Sequence, residues 1–116
     1  MNEFITLGKT DMRVSALGIG AWQWGDRYMW GYGGGYGDAD LRRAFELTLE
    51  AGINFIDTAE IYGPHTSERK LGEFLRTRET KPIIATKFFP LPLALGARRC
   101  AARVARQFEA FGIAKR

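Results

Sequence analysis

The feature that most constrains this chain is an alternation of short apolar runs with segments of helical period. The first run ends in Gly18-Ile-Gly20, the second is Ile53-Asn-Phe-Ile56, and the third is Pro82-Ile-Ile-Ala-Thr86. Between the first two, Leu41, Ala44, Phe45, Thr48 and Leu49 recur at helical spacing and define one apolar face. Asp38 stands where it can cap that helix, and Gly52 suits the left-handed position just past its end. A second helix starts near Ser67, with Leu71, Phe74 and Leu75 on one side. Pro82 opens the third run, where no ladder donor is missed. Pro90 and Pro92 mark a loop, residues Ala97 to Phe111 read as a third helix, and Gly112 ends it. Strand–helix order repeated three times implies an α/β fold with parallel strands and right-handed crossovers, each unit about 30 residues long.

Two segments stand outside that repeat. Phe4 to Leu7 and Met12 to Leu17 flank Gly8-Lys-Thr-Asp11, which predicts an N-terminal hairpin. Its second arm is expected to run on into Gly18-Ile-Gly20 as one buried strand. Residues 22 to 37 hold three tryptophans, three tyrosines and six glycines. That is too irregular for a helix and too aromatic for a disordered linker, so a long structured loop is expected. It can wall a substrate pocket or cover the mouth of one. The glycines at 33 to 35 suggest mobility, but no Gly-Lys-Ser/Thr follows them, so they form no phosphate loop.

Composition narrows the function classes. The chain has 116 residues, room for one domain at most. A single cysteine, Cys100, forms no internal disulfide, which fits a reducing compartment. Cys100 and His65 lie too far apart in sequence to suggest zinc, and no metal is expected. No leader-like or membrane-spanning apolar stretch is present, so a cytoplasmic location is expected, with no membrane partner. Residues 97 to 116 carry Arg98, Arg99, Arg103, Arg106, Lys115 and Arg116 against one acid, Glu109. We read them as the solvated face of a helix whose core stripe is Val104, Phe108 and Phe111, rather than as a nucleic-acid surface. The oligomeric state is not legible.

Function in parallel α/β folds gathers at the carboxyl ends of strands. Asp57 ends the second strand, Tyr62 lies in the following loop and Lys87 ends the third. The 30-residue step from Asp57 to Lys87 is one strand–helix–strand unit, which sets the two side chains on neighbouring strands. Each residue has a commoner structural role when taken alone: a turn carboxylate, a packed ring, a solvated cation. Their joint placement suggests more. Hydride reduction of a carbonyl needs a proton for the developing alkoxide. A free tyrosine, with a pKa of about 10, gives one up reluctantly at neutral pH. An adjacent ammonium favours the phenolate, and a carboxylate beside the ammonium keeps it charged. Asp, Lys and Tyr on one rim therefore make a proton-transfer device that needs no metal.

These residues also carry a family resemblance. Gly52-Ile-Asn-Phe-Ile-Asp-Thr-Ala-Glu-Ile-Tyr-Gly63, with Ser67-Glu68 and Leu71-Gly72, resembles the signature of the aldo-keto reductases. Ile84-Ala-Thr-Lys87 resembles that family's lysine strand, and Leu7-Gly8, Val14-Ser15 and Leu17-Gly18-Ile-Gly20 resemble its N-terminal hairpin and first strand. Trp22-Gln-Trp-Gly25, Trp30-Gly-Tyr32 and Lys87-Phe-Phe-Pro90 are similar to the plant and cyanobacterial branch that includes pyridoxal reductase. The resemblance implies a (β/α)8 TIM barrel that uses NADPH and reduces a small carbonyl substrate. It implies Asp57, Tyr62 and Lys87 as catalytic residues, Tyr62 being the acid. It also implies Gly20, Ala21, Trp22 and Asp57 at the cofactor. Independently, Gly18-Ile-Gly20-Ala-Trp-Gln23 lacks the third glycine of the dinucleotide fingerprint, which disfavours a Rossmann site.

The same resemblance implies what is missing. A complete barrel takes about 250 residues, so residues 1–116 are expected to supply about three of eight units, ending before the fourth strand. The family's catalytic histidine ends that fourth strand, and nothing here matches it. His65 sits in the tyrosine's own loop and reads as a loop or substrate-rim residue. Two alternatives to a reductase remain: a non-catalytic relative that keeps the cofactor rim for sensing or scaffolding, and an inactive fragment. Cofactor titration separates the fragment from the others.

Overall fold

The computed structural model describes residues 3–89 together with 102, 104 and 105. It opens with β1 (Phe4–Thr6) and β2 (Arg13–Ser15), an antiparallel pair with Phe4 opposite Ser15. The Leu7 N–H donates to the Met12 carbonyl at 3.0 Å and the Thr10 hydroxyl to the Leu7 carbonyl at 2.6 Å, which closes the predicted turn. Then come β3 (Ile19–Gly20), α1 (Asp38–Glu50), β4 (Phe55–Asp57), α2 (Thr66–Leu75) and β5 (Ile83–Ala85). β3, β4 and β5 lie side by side in that order, both pairings parallel. This is the expected α/β alternation.

The helices form where the apolar spacing places them. Leu41, Phe45 and Thr48 are the buried stripe of α1, and Leu71, Phe74 and Leu75 that of α2. Phe45 sits at the centre, its ring 6.3 Å from Trp24 and 5.5 Å from Phe74. Burying each such ring stabilises the fold by roughly 1.5–3 kcal/mol. Glu46 of α1 pairs with Arg78, just beyond α2. Gly52, at φ 75°, ends α1 as expected: its N–H donates to Leu49 and that of Ile53 to Thr48, so the last carbonyls are satisfied.

Asn54 fastens the hairpin to the sheet. Its Oδ1 accepts from the Ser15 N–H at 2.7 Å, its Nδ2 donates to the Arg13 carbonyl at 3.0 Å, and its own N–H donates to the Ser15 hydroxyl at 3.1 Å. The hairpin is thereby held at the entry end of β4, away from the strand exits.

Three expectations are corrected. The second hairpin arm does not continue as one buried strand: β2 stops at Ser15 and β3 begins at Ile19. The Ser15 hydroxyl donates to the Leu17 carbonyl at 2.6 Å, which bends the chain between them, and Gly20 is exposed. Asp38 does not cap α1. The cap is Gly37, whose N–H donates to the Asp40 carboxylate at 2.8 Å, because Asp38 is engaged with Tyr32 and Lys70. Ala44 is exposed rather than part of the apolar face. Of the predicted helix over 97–111, Ala102, Val104 and Ala105 are helical and Val104 is half-buried; the rest, with the basic residues of the tail, lies outside the described residues. No helix among the described residues is long and apolar enough to cross a membrane.

Candidate active site

Parallel register brings the strand exits level. Gly20 pairs with Asp57, and Asp57 with Ala85. Lys87 lies two residues past Ala85, beyond the end of β5, and its side chain reaches Asp57. Its Nζ donates to Asp57 Oδ1 at 2.7 Å, to Oδ2 at 2.8 Å and to the Thr58 carbonyl at 3.1 Å. The same Nζ lies 5.4 Å from the centre of the Tyr62 ring. Partial burial pulls the Lys87 pKa down, but the hydrogen bond and charge of Asp57, with Tyr62 adding to both, outweigh it and hold the pKa above the ordinary lysine value. The structure thus brings together Asp57, Tyr62 and Lys87.

Tyr62 also has an aromatic neighbour. Its ring stacks on Trp22 at 5.7 Å between centroids and 21° between planes, and Trp30 meets Trp22 edge-on at 5.7 Å. The loop over 22–37 therefore walls the site with Trp22 and Trp30. Its body is structured. Asp26 is buried and accepts from the Tyr28 and Met29 N–H groups at 2.8 and 2.9 Å, and the Tyr36 hydroxyl donates to the Gln23 carbonyl. Among the residues implied for the cofactor, Gly20 and Trp22 are exposed, Gly20 paired with Asp57 and Trp22 stacked on Tyr62. A Cβ built at Gly20 meets nothing within 4 Å, so a ligand can lie against the backbone there. Ala21 is fully buried, its N–H donating to the Asp57 carbonyl and its carbonyl accepting from Ser67 and Trp24. It supports the site from behind. His65 is exposed in the loop before α2, in the left-handed conformation at φ 63°.

Behind the rim lies a polar layer that sequence reasoning did not single out by role. The Ser67 hydroxyl donates to the Ala21 carbonyl at 2.6 Å. It has one proton, so the 2.8 Å contact with Thr58 is donated by the Thr58 hydroxyl. Glu68 accepts from the Thr86 hydroxyl at 2.6 Å, and Glu60 from the Phe89 N–H at 3.0 Å. Ser67, Glu68, Thr58 and Glu60 are all buried. The available signal was the polar character of Ser67-Glu68 at the start of an otherwise apolar helix face.

A second Tyr–Asp–Lys set shows that residue types alone do not make the device. The Tyr32 hydroxyl donates to Asp38, and Lys70 Nζ bonds Asp38 Oδ2 at 2.9 Å. The hydrogen bond to Asp38 pushes the Tyr32 pKa up, while the Lys70 and Tyr32 hydrogen bonds pull that of Asp38 down. There the tyrosine is tied to the carboxylate, which makes it a poorer acid. Around it opens a cavity of about 540 Å³ whose lining includes Arg27, Tyr32, Asp38, Arg69 and Lys70 but none of Asp57, Tyr62 and Lys87.

The model of the Aldo/keto reductase family matches residues 16–112. The chain belongs to the aldo/keto reductase family. Pyridoxal reductase, chloroplastic, from Arabidopsis thaliana is 42% identical over 94 residues, covering 72% of this chain and 26% of that protein. An uncharacterized oxidoreductase of Mycobacterium tuberculosis is 43% identical over 79 residues, covering 68% of this chain and 24% of that one. This family member thus spans about a quarter of the length of these relatives. Among solved structures, the holo form of an aldo-keto reductase from Bacillus halodurans superimposes with a TM-score of 0.75 at 24% identity, over 97% of this chain and 37% of that one. A glycerol dehydrogenase from Gluconobacter oxydans gives 0.69 at 26% identity, over 95% and 36%. Such neighbours are (β/α)8 barrels, and the three parallel strands described above are an N-terminal portion of that architecture.

Proposed function

We propose that this chain is the proton-donating portion of an NADPH-dependent reductase that converts a small aldehyde or ketone to an alcohol. One observation carries the reading: a lysine ammonium paired with Asp57 at 2.7 Å faces the ring of Tyr62. As the carbonyl is reduced, the tyrosine hydroxyl passes its proton to the developing alkoxide. Lys87 stabilises the phenolate left behind, and Asp57 keeps Lys87 charged and aimed. Gly20, Trp22 and Asp57 would hold a nicotinamide cofactor, which supplies the hydride when bound. NADPH is the form that the family resemblance favours. Trp22 and Trp30 exclude water from one side and suit a flat, apolar substrate. An aldehyde on an aromatic ring fits such a wall, and the similarity to a pyridoxal reductase supports including pyridoxal among the substrates tried. The single cysteine supports a reducing, cytoplasmic setting.

The chain spans about a quarter of the length of the relatives it matches, and residues 1–116 hold no match to the family's fourth-strand histidine. The reading is therefore tested in a chimera, with residues 1–89 replacing the matching part of the Mycobacterium tuberculosis relative. The chimera should oxidise NADPH in the presence of aldehydes, pyridoxal included. A folded chimera that binds NADPH but reduces none of them would contradict the reading and favour a non-catalytic relative.

A further inference from the structure

We infer that Ser67 and Glu68, the second and third residues of α2, are positioning residues for Lys87 and Asp57. The inference rests on the functional reading above and extends it to how the site is held. Two consecutive side chains bind the exits of all three parallel strands. Ser67 holds the Ala21 carbonyl just past β3 at 2.6 Å and the Thr58 hydroxyl just past β4 at 2.8 Å. Glu68 holds the Thr86 hydroxyl just past β5 at 2.6 Å. Both side chains are buried, Ser67 fully and Glu68 with 3% of its surface exposed, which shields their ends of these bonds from water.

The residues so held flank the reacting groups. Thr58 follows Asp57 and gives its carbonyl to Lys87 at 3.1 Å. Thr86 precedes Lys87. Beyond Ala85 the chain is no longer a strand. What sets its course there is the Glu60 N–H on the Lys87 carbonyl at 3.0 Å, Glu60 Oε2 on the Phe89 N–H at 3.0 Å, and Glu68 on Thr86. Asp57 and Lys87 are half-exposed, and a pair so placed does not fix its own geometry against solvent. The buried layer fixes it instead. In this arrangement the carboxylate of Glu68 serves as an acceptor that orients Thr86, and the proton for the substrate comes from Tyr62.

The test uses the full 116-residue chain and needs no turnover. Lysine side chains are labelled with ¹³C at Cε, and Lys87 is titrated by NMR in the wild type, Asp57→Asn, Thr86→Val and Thr86→Ser. Thr86 is exposed, so the isosteric valine removes the donor to Glu68 and leaves the core alone. Asp57→Asn should lower the Lys87 midpoint. Thr86→Val should lower it in the same direction, and Thr86→Ser, which restores the donor, should return it to the wild-type value. An unchanged midpoint in Thr86→Val, with Asp57→Asn shifted, overturns the inference and leaves the Asp57–Lys87 pair standing. An unchanged midpoint in Asp57→Asn removes the pair itself, and with it both the inference and the functional reading. Thr86→Ala repeats the measurement should the valine variant fail to fold, with the same two outcomes.

Discussion

Lys87 ties the site to pH through its ion pair with Asp57. Its pKa is raised in the folded chain, so the pair with Asp57 adds stability that is fully present below the ordinary lysine value of 10.5. That stability is lost as pH rises through the folded value. Both partners are about half-exposed, which limits the effect to about 1 kcal/mol or less. Asp57→Asn should therefore lower urea stability slightly at pH 7, and the gap from wild type should close as pH rises through the raised Lys87 value. A gap that grows with pH would place the stabilising partner of Asp57 elsewhere. Gly25 makes a stronger demand. Its φ is 89°, and an added Cβ would stand 2.2 Å from Thr66 Cγ2. Gly25→Ala should cost about 1–3 kcal/mol, read as a fall in thermal midpoint. At this scale the site was legible where chain spacing alone fixes a contact. Asp57 and Lys87 meet because one strand–helix–strand unit separates them. Ser67 and Ala21 are 46 residues apart, in different units, and no periodicity in the chain connects them.

At the scale of elements, α1 and α2 hold the sheet through one aromatic centre, and the hairpin hangs on one side chain. Phe45 is fully buried between Trp24 and Phe74, and Phe45→Ala should cost about 3–5 kcal/mol in denaturant unfolding. Asn54→Ala removes two side-chain hydrogen bonds to β2 and should cost about 1–3 kcal/mol. Its distinctive mark is local: amide exchange in β1 and β2 should quicken while that in α1 and α2 changes less. The helices were legible because their apolar faces repeat at a fixed period. The ends were not, because capping is decided by competition. Asp38 has the chemistry of a cap, but Tyr32 and Lys70 claim its carboxylate, and Asp40 serves Gly37 instead. The aromatic loop was legible as structured but not in its course, since Tyr36 bonds to the Gln23 carbonyl, 13 residues away, which only the folded loop brings near.

For the whole molecule, the three described parallel strands form an open sheet with β3 and β5 at its edges, beside the β1–β2 hairpin. The aldo/keto reductase barrels it resembles are more than twice its length, this chain covering 37% of one and 36% of another. What it contributes is coherent all the same: three strand exits in register, an aromatic wall, and a tyrosine ring beside an ion-paired lysine. The proposed role of Tyr62 is that of proton donor. It is tested most directly by kcat/KM for NADPH-dependent aldehyde reduction in the chimera that carries residues 1–89, compared with the same chimera bearing Tyr62→Phe. The phenylalanine keeps the stack on Trp22 and removes only the hydroxyl. The expected result is a loss of about 10²–10⁴-fold with NADPH affinity unchanged. Activity within a few-fold of the parent chimera would show that the proton comes from another group.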